Sequence, residues 1–209
     1  MVPVIAVLVV AALAVVAADR QIAWLLVPSK PLATVLLFLI VGRPATPLAV
    51  WVDVGIALSV VGDVALLGQG DKPFLVGLGA FLLAHVAYVV AFAGVAVWSP
   101  HVAAVAVAAL ASTGVLLRAI GPGAAGMRGP VVVYGLVISA MVVSASATVG
   151  GPLGPLAPFA AAGAVLFYAS DASLALNRFR KPIPHAHYLS MGLYWIGQVG
   201  IALAARGGR

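Results

Sequence analysis

Residues 48–67 read LAVWVDVGIALSVVGDVALL and carry two charged side chains, Asp53 and Asp63, in twenty positions. About 20 predominantly apolar residues are needed for a helix to cross the hydrocarbon core of a bilayer. Lipid offers no hydrogen-bond partners to the backbone, so a segment of this kind crosses as a helix. The stretch therefore predicts a transmembrane helix with a carboxylate, Asp63, close to its carboxyl-terminal end.

Seven further apolar runs extend this interpretation to the whole chain. They end at turn clusters such as Gly42-Arg43-Pro44 and Gly150-Gly151-Pro152, where glycine and proline interrupt helices. The alternating pattern of an outer-membrane barrel is absent. We therefore predict an all-α fold, a polytopic membrane bundle of eight transmembrane helices in a single integral membrane domain, residues 1–209. The predicted spans are about 3–18, 22–41, 48–67, 74–98, 101–120, 130–149, 156–177 and 187–205.

The first run has a second interpretation, a signal peptide whose cleavage end is Val16-Ala17-Ala18. A signal peptide normally begins with a positively charged region, and no Lys or Arg precedes this run. A first transmembrane helix is therefore favoured.

The composition agrees with a membrane protein. Apolar residues make up 64% of the chain and charged residues 8%, against about 25% charged in a typical soluble domain. The mean hydropathy of +1.21 leaves too little polar surface for a water-soluble globule. Because the chain has no Cys, disulfides and thiolate metal sites are excluded.

The net charge of +6 is distributed in short connectors, which is typical of membrane topology signals. No basic stripe or aromatic stacking platform indicates nucleic-acid binding, so we expect no nucleic-acid partner. The first, third, fifth and seventh connectors carry Arg20, Lys72, Arg118, Arg128, Arg178, Arg180 and Lys181; the other side carries Arg43, Arg206 and Arg209. Seven cations against three predict a multi-pass protein of the cell membrane with the odd-numbered connectors in the cytoplasm and both termini outside.

Polar residues inside the predicted spans gather towards the odd-numbered connectors. Charges in a bilayer are costly and mark functional sites by default. Asp63 and Asp171 are the two carboxylates on this side, with Lys30 in the second span and His85 in the fourth. The other polar candidates for lining a pocket are Ser59, Tyr88, Tyr134, Ser170, Asn177, Tyr194 and Gln198. We expect them to form one interior pocket in the cytoplasmic leaflet.

Each candidate also has a purely structural interpretation. Asp63 or Asp171 could serve only to neutralise Lys30, His85 could be a hydrogen-bonded packing residue, and the tyrosines could belong to an interfacial belt. Outside the pocket, Asp53 is expected to play no part, Asp19 with Arg20 to form a solvated pair, and Asp71 with Lys72 to form a loop pair.

Other kinds of site find little support in the sequence. A catalytic zinc site needs about three convergent His or carboxylate ligands, and only His85 among the four histidines lies within a span. Phosphate-loop, Gly-x-Ser-x-Gly and His-Glu-x-x-His motifs are absent. We therefore predict neither a metal nor a cofactor.

Several of these residues occur in blocks that resemble the lysoplasmalogenase (YhhN-like) family over about residues 25–200. The first-half blocks are Lys30-Pro31, Gly62-Asp63-Val64-Ala65-Leu66-Leu67 and Phe74-x-x-Gly77-x-x-x-Phe81-x-x-x-His85-x-x-Tyr88. The second-half blocks are Pro130, Tyr134, Met141, Gly163 with Phe167, Ser170-Asp171-x-x-Leu174-Ala175-x-Asn177-x-Phe179 and Tyr194-x-x-x-Gln198. The Gly-Asp and Ser-Asp blocks are specific in combination and weak singly.

This resemblance implies a membrane-embedded hydrolase that cleaves the vinyl ether of lysoplasmalogens to a fatty aldehyde and a glycerophospho-alcohol. Such a reaction protonates the terminal vinyl carbon and forms an oxocarbenium ion that water captures. Glycoside hydrolases manage a similar cation with two carboxylates. We therefore expect Asp63 and Asp171 to act as general acid and base, with Asp171 slightly favoured as the acid, and His85 to orient or bind water. The lysolipid substrate and the bilayer are the expected partners.

Two other function classes remain open from the residues alone. Intramembrane Asp and Lys also mark ion pathways, and the Asp63 and Asp171 blocks lie four spans apart, as in a transporter with a parallel repeat. A structural membrane subunit is the third possibility, and it leaves the gathered polar residues unexplained.

Overall fold

The computed structural model describes residues 1–208, so Arg209 lies outside the described residues. Within that range the chain is helical, with three short 3-10 segments at Gly121–Met127, Gly154–Leu156 and Ala205–Gly208. The α-helices are α1 (Val2–Asp19), α2 (Ala23–Val35), α3 (Phe38–Val41), α4 (Pro47–Ala65), α5 (Asp71–Ala93), α6 (Pro100–Ile120), α7 (Arg128–Ser146), α8 (Ala157–Phe179) and α9 (Ala186–Ala204).

Eight helical segments among the described residues are long and apolar enough to span a membrane, with α2 and α3 counted together as Ala23–Val41. The all-α polytopic fold predicted from the sequence is thereby confirmed. In the second span the helix continues through Pro28 and Pro31 and is interrupted only later, at Leu36 and Leu37. Lys30 therefore lies on a continuous helical segment.

The helix at the fourth predicted span, about 74–98, begins and ends earlier in the chain than expected. Helix α5 begins at Asp71 and ends at Ala93. Asp71 and Lys72, expected as a loop pair, form the first turn of α5, where an acidic side chain complements the helix dipole. Beyond the helix, the Val97 amide donates to the carbonyl of Ala147, which ties this connector to the end of α7.

Helices α8 and α9 pack closely because glycines face each other across their interface. A Cβ atom on Gly163 would lie 2.6 Å from the Gly197 carbonyl oxygen, and one on Gly197 would lie 2.7 Å from that of Gly163. Small residues of this kind let transmembrane backbones approach each other directly. This contact fixes the position of Asp171 on α8 relative to Tyr194 on α9.

The interior and the outer surface of the bundle differ in the expected way for a membrane protein. The largest fully buried side chains include Trp195, Tyr88 and Phe167, in the middle of the bundle. Trp24 and Val107 are 79% and 69% exposed. Apolar side chains exposed to this extent fit contact with lipid rather than with water.

Candidate active site

A cavity of about 490 Å³ opens at the end of the bundle where the odd-numbered connectors lie. Both Asp63 and Asp171 line it, together with Lys30. Its other lining residues are Leu66, Gly68, Gln69, Gly70, Phe74, Phe81, Ser170, Leu174, Asn177, Arg178, His187, Ser190, Met191 and Tyr194. Residues 68–70 and His187 are exposed, so they form its mouth. The two carboxylates singled out in the sequence therefore belong to one chamber.

Asp63 lies at the buried wall of this cavity and is only 1% exposed. Its Oδ2 accepts hydrogen bonds from the Thr34 hydroxyl at 2.5 Å and from the Tyr194 hydroxyl at 2.9 Å. The Lys30 Nζ lies 3.8 Å from the other oxygen, Oδ1. The sequence offered Asp63 and Asp171 as ion-pair partners of Lys30, and in the structure Asp63 is the one that lies beside it. This carboxylate is thus surrounded by donors and by a cation.

Two residues around Asp63 were not identified from the sequence, namely Thr34 and Trp195. The indole Nε1 of Trp195 donates to the Thr34 hydroxyl oxygen at 3.1 Å, and the Thr34 hydroxyl donates onward to Asp63. Thr34 follows Lys30 by four residues, so the two share a helix face. That spacing was an available signal for Thr34, whereas nothing in the sequence distinguished Trp195 from a packing residue.

A second layer of polar side chains lies behind Asp63 and does not line the cavity. The Gln198 amide donates to the Ser59 hydroxyl at 3.0 Å, and the Tyr88 hydroxyl donates to the Gln198 Oε1 at 2.7 Å. Gln198 Nε2 also approaches the Tyr194 hydroxyl at 3.4 Å. Because Ser59, Tyr88 and Gln198 are 0% exposed, they brace Tyr194 and Asp63 and have no face towards a ligand in the cavity.

Asp171 has a different environment. The Tyr134 hydroxyl donates to its Oδ2 at 2.5 Å and is the sole hydrogen-bond donor to this carboxyl group among the described residues. His85 Nε2 lies 3.6 Å from the same oxygen, beyond hydrogen-bonding distance. The side chain of Asp171 is 14% exposed, against 2% for that of Asp63, so it presents more of its surface to the cavity.

His85 is completely buried, and within the described part of the chain neither ring nitrogen has a hydrogen-bond partner. Its ring meets the Tyr134 ring edge to face, with the centroids 5.2 Å apart. Buried polar groups are normally paired, so an unpaired histidine beside Asp171 is unusual. It lies behind the carboxyl group and does not line the cavity.

Aromatic rings separate the surroundings of the two carboxylates. The centroid of Phe167 lies 4.7 Å from that of His85 on one side and 5.0 Å from that of Tyr194 on the other. Phe81 packs edge to face against Phe167 and Tyr194. The two polar clusters therefore face a common cavity but exchange no direct hydrogen bond in the described structure.

Ser170 and Asn177 line the cavity, but their bonds are to the backbone. The Ser170 hydroxyl donates to the Ser190 carbonyl at 2.7 Å, linking α8 to α9. The Asn177 side-chain oxygen accepts from the Ile183 amide at 2.7 Å and holds the connector between these helices. Both residues shape the cavity wall through contacts made within the protein.

Arg178 stands at the mouth and was not among the predicted site residues. It bonds to Asp71 at 2.5 Å, and its guanidinium lies 4.9 Å from the centroid of the Phe74 ring. The interaction joins the start of α5 to the end of α8 across the opening. Asp71 and Arg178 come from regions 107 residues apart, which the local sequence pattern does not connect.

The remaining acidic residues lie outside the cavity. Asp19, expected beside Arg20, bonds instead to the imidazole Nδ1 of His185 at 2.8 Å. Asp53 Oδ1 is buried and has no partner among the described residues, and Asp53 does not line the cavity. Within residues 1–208 no three His, Asp or Glu side chains are grouped as metal ligands would be.

Comparison with known proteins identifies the family of this chain. The YhhN family model matches residues 22–205. Human lysoplasmalogenase TMEM86B is 32% identical over 193 residues, covering 90% of this chain and 78% of the relative. Human lysoplasmalogenase TMEM86A is 31% identical over 165 residues, covering 77% of this chain and 67% of the relative. No solved structure is significantly similar. The chain belongs to the YhhN family, and the resemblance inferred from its sequence is confirmed.

Proposed function

We propose that this member of the YhhN family is a membrane-embedded hydrolase that cleaves the vinyl-ether bond of lysoplasmalogen-type lysolipids. The observation that carries the proposal is the cavity lined by two carboxylates in contrasting environments. Asp63 lies beside Lys30, whereas Asp171 has no Lys or Arg within ion-pair distance in the described part of the chain. The names of its relatives, human lysoplasmalogenases TMEM86B and TMEM86A, point to the same substrate class. The products are a fatty aldehyde and a glycerophospho-alcohol.

The chemistry requires a proton at carbon before any bond to oxygen breaks. A carboxylic acid delivers a proton to the terminal vinyl carbon, and the positive charge that remains is shared between the neighbouring carbon and the ether oxygen. Water then attacks this oxocarbenium carbon, and the hemiacetal that forms collapses to aldehyde and alcohol. General acid–base catalysis of this kind contributes about 10²–10⁴-fold to a rate.

The contacts of the two carboxyl groups support different roles for them. Asp171 presents more surface to the cavity and receives one hydrogen bond, from Tyr134, so we assign it the proton transfer. After giving up its proton, the same carboxylate can accept one from the attacking water, as the acid/base residue does in retaining glycoside hydrolases. Asp63 remains anionic beside Lys30 and stabilises the oxocarbenium charge through space.

The other candidate residues position these two groups or the substrate. Tyr134 donates a hydrogen bond to Asp171, and the His85 ring packs against the Tyr134 ring. Thr34 and Tyr194 donate to Asp63. The buried cluster of Ser59, Tyr88 and Gln198 lies behind Tyr194. Lys30 keeps 11% of its side chain exposed. It can therefore meet a substrate phosphate while it neighbours Asp63. Ser170 and Asn177 set the shape of the wall.

Product analysis tests the proposal directly. Purified protein is incubated with a panel of lysolipids, and the products are identified by mass spectrometry. We expect release of fatty aldehyde from the vinyl-ether substrate, while the acyl ester lysophosphatidylcholine stays intact. Absence of aldehyde with every vinyl-ether head group tested would contradict the hydrolase and favour the transport alternative.

We further propose that the cavity opens towards the cytoplasmic leaflet of the cell membrane. Because the chain has no Cys, single-cysteine variants report position without background. Arg128→Cys and Arg180→Cys should react with a membrane-impermeant maleimide only after the cells are opened, and Arg43→Cys should react on intact cells. The reverse pattern would place the cavity in the outer leaflet.

A further inference from the structure

A second, smaller pocket adjoins the cavity beside Asp171. Its volume is about 50 Å³, and it shares Leu66, Phe74, Phe81, Asp171 and Leu174 with the main cavity. Its remaining lining residues are Leu78, Val131, Tyr134, Ala175 and Phe179. It lies between α5, α7 and α8, whereas Lys30 and Asp63 belong to the cavity alone. We call it the side pocket.

Polar groups are sparse in the side pocket. The polar side chains in its wall are Asp171 and Tyr134, and these two bond to each other at 2.5 Å. The other lining side chains are apolar, whereas the main cavity carries Lys30, Asp63 and Arg178. The Asp171–Tyr134 pair therefore lies at the boundary between a polar chamber and an apolar one.

We propose that the side pocket is the subsite for the alkyl chain of the substrate, and that it receives the first carbons beyond the reacting bond. The inference rests on the proposed function and adds the orientation of the lipid within the site. A single-chain lipid has its own polar-to-apolar boundary at the bond that joins chain and head group. Aligning the two boundaries puts that bond at Asp171 and directs the phosphate towards Lys30 and the mouth.

The walls of the side pocket give the chain its direction. Phe74 and Phe179 meet edge to face with their centroids 5.7 Å apart, and the Arg178 guanidinium covers Phe74. Phe74 lines both the side pocket and the main cavity, whereas Phe179 lines the side pocket, so the two rings lie on the side of the pocket next to Arg178. A volume of about 50 Å³ holds a few water-sized groups. The pocket thus takes only the start of the chain, and the rest continues between the helices towards lipid.

Photo-crosslinking of the wild-type protein tests the orientation without any need for turnover. The first probe is a saturated 1-O-alkyl lysophosphocholine, which carries no vinyl ether to cleave, with a diazirine on an early chain carbon. It should label Leu78, Val131, Ala175 or Phe179. A second probe with the diazirine in the head group should label residues 68–70 or His187. An exchanged pattern, or chain labelling confined to the mouth, would overturn the proposal.

A pair of variants on α8 tests the same subsite through kinetics. Ala175→Leu fills the side pocket, whereas Ala172→Leu makes the same change facing a groove between α6 and α8 that contains Tyr168. With a long-chain vinyl ether, Ala175→Leu should raise KM about tenfold, as expected from displacing about two buried methylenes. Ala172→Leu should leave KM unchanged. For a truncated two-carbon vinyl ether, both variants should match the wild type.

If Ala175→Leu raised KM equally for the long and the truncated substrate, the side pocket would not hold the chain. These outcomes are separate from the fate of the proposed function. If the protein releases no aldehyde from any vinyl ether, crosslinking of the saturated probe still decides whether the chain occupies the side pocket. If it releases aldehyde while the chain probe labels other residues, the proposed hydrolase activity holds and the assignment of the side pocket to the alkyl chain is wrong.

Discussion

The two intramembrane carboxylates face the same cavity from unequal surroundings. Asp63 is enclosed by Thr34, Tyr194 and Lys30, with a further layer of buried polar side chains behind it. Within residues 1–208, Asp171 receives one hydrogen bond, from Tyr134, and it lies beside an apolar pocket. A carboxylate with several hydrogen-bond donors and a cation around it is held in one protonation state. A carboxyl group with few such neighbours is free to exchange a proton. The difference predicts unequal responses to substitution.

The largest effect is expected at Asp171. Asp171→Asn removes the proposed proton donor and should lower kcat by at least about 100-fold, as loss of general acid–base catalysis commonly does. The matched control is Asp53→Asn, an equivalent change on α4 outside the cavity, which should retain activity. Aldehyde release measured in detergent or nanodiscs checks both. Should Asp171→Asn keep more than a few per cent of wild-type kcat, its assigned role is wrong.

At Asp63 we expect a loss of activity accompanied by a loss of stability. Asp63→Asn should also lower kcat by about 100-fold, and it leaves the buried Lys30 without its counter-ion. Breaking a buried ion pair typically costs about 3–5 kcal/mol. The double variant Lys30→Met with Asp63→Asn should recover much of the thermal stability, because no unpaired charge remains, and still lack activity.

Thermal unfolding of the two single variants and the double variant gives the coupling energy between Lys30 and Asp63. If the single variant Asp63→Asn were as stable as the wild type, Lys30 would not depend on this carboxylate. Lys30 would then be assigned to binding the substrate phosphate, and Lys30→Met would raise KM while leaving stability unchanged.

A smaller contrast is expected between two tyrosines. Tyr134→Phe removes the sole donor to Asp171 among the described residues, whereas Tyr194→Phe removes one of two donors to Asp63. Hydrogen bonds to charged groups contribute about 1.5–3 kcal/mol. We expect kcat to fall about tenfold for Tyr134→Phe and by less for Tyr194→Phe. The opposite order would mean that the Asp63 cluster, and not Asp171, is the more sensitive centre.

The smallest effect belongs to His85. It lies behind Asp171 and has no hydrogen-bond partner among the described residues, so His85→Ala should reduce kcat by less than about tenfold, under ~1.4 kcal/mol of barrier. The same variant opens a buried cavity and should lower the melting temperature. A kcat loss equal to that of Asp171→Asn, with melting unchanged, would make His85 part of the proton transfer itself.

Many of the residues that form the site could be predicted from the sequence, but the contacts between them could not. The gathering of Lys30, Asp63 and Asp171 at one end of the bundle follows from their places in the second, third and seventh spans, since each lies near the end that opens onto an odd-numbered connector. Asp19 shows the limit, since its neighbour in sequence is Arg20 and its partner in the fold is His185. Arg178 was missed for the same reason, because its interaction with Asp71 joins distant parts of the chain.

The sequence by itself determined the eight spans, because the requirement to satisfy every backbone group in lipid acts on each apolar run separately. It also determined which spans carry polar groups, and it placed residues one helix turn apart, such as Ser59 and Asp63, on the same helix face. Only the tertiary structure decided that Asp63 neighbours Lys30 and Thr34, while Asp171 pairs with Tyr134 beside an apolar pocket. Those distances depend on how the helices approach one another, as at Gly163 and Gly197, and contacts between helices are not encoded in any single segment.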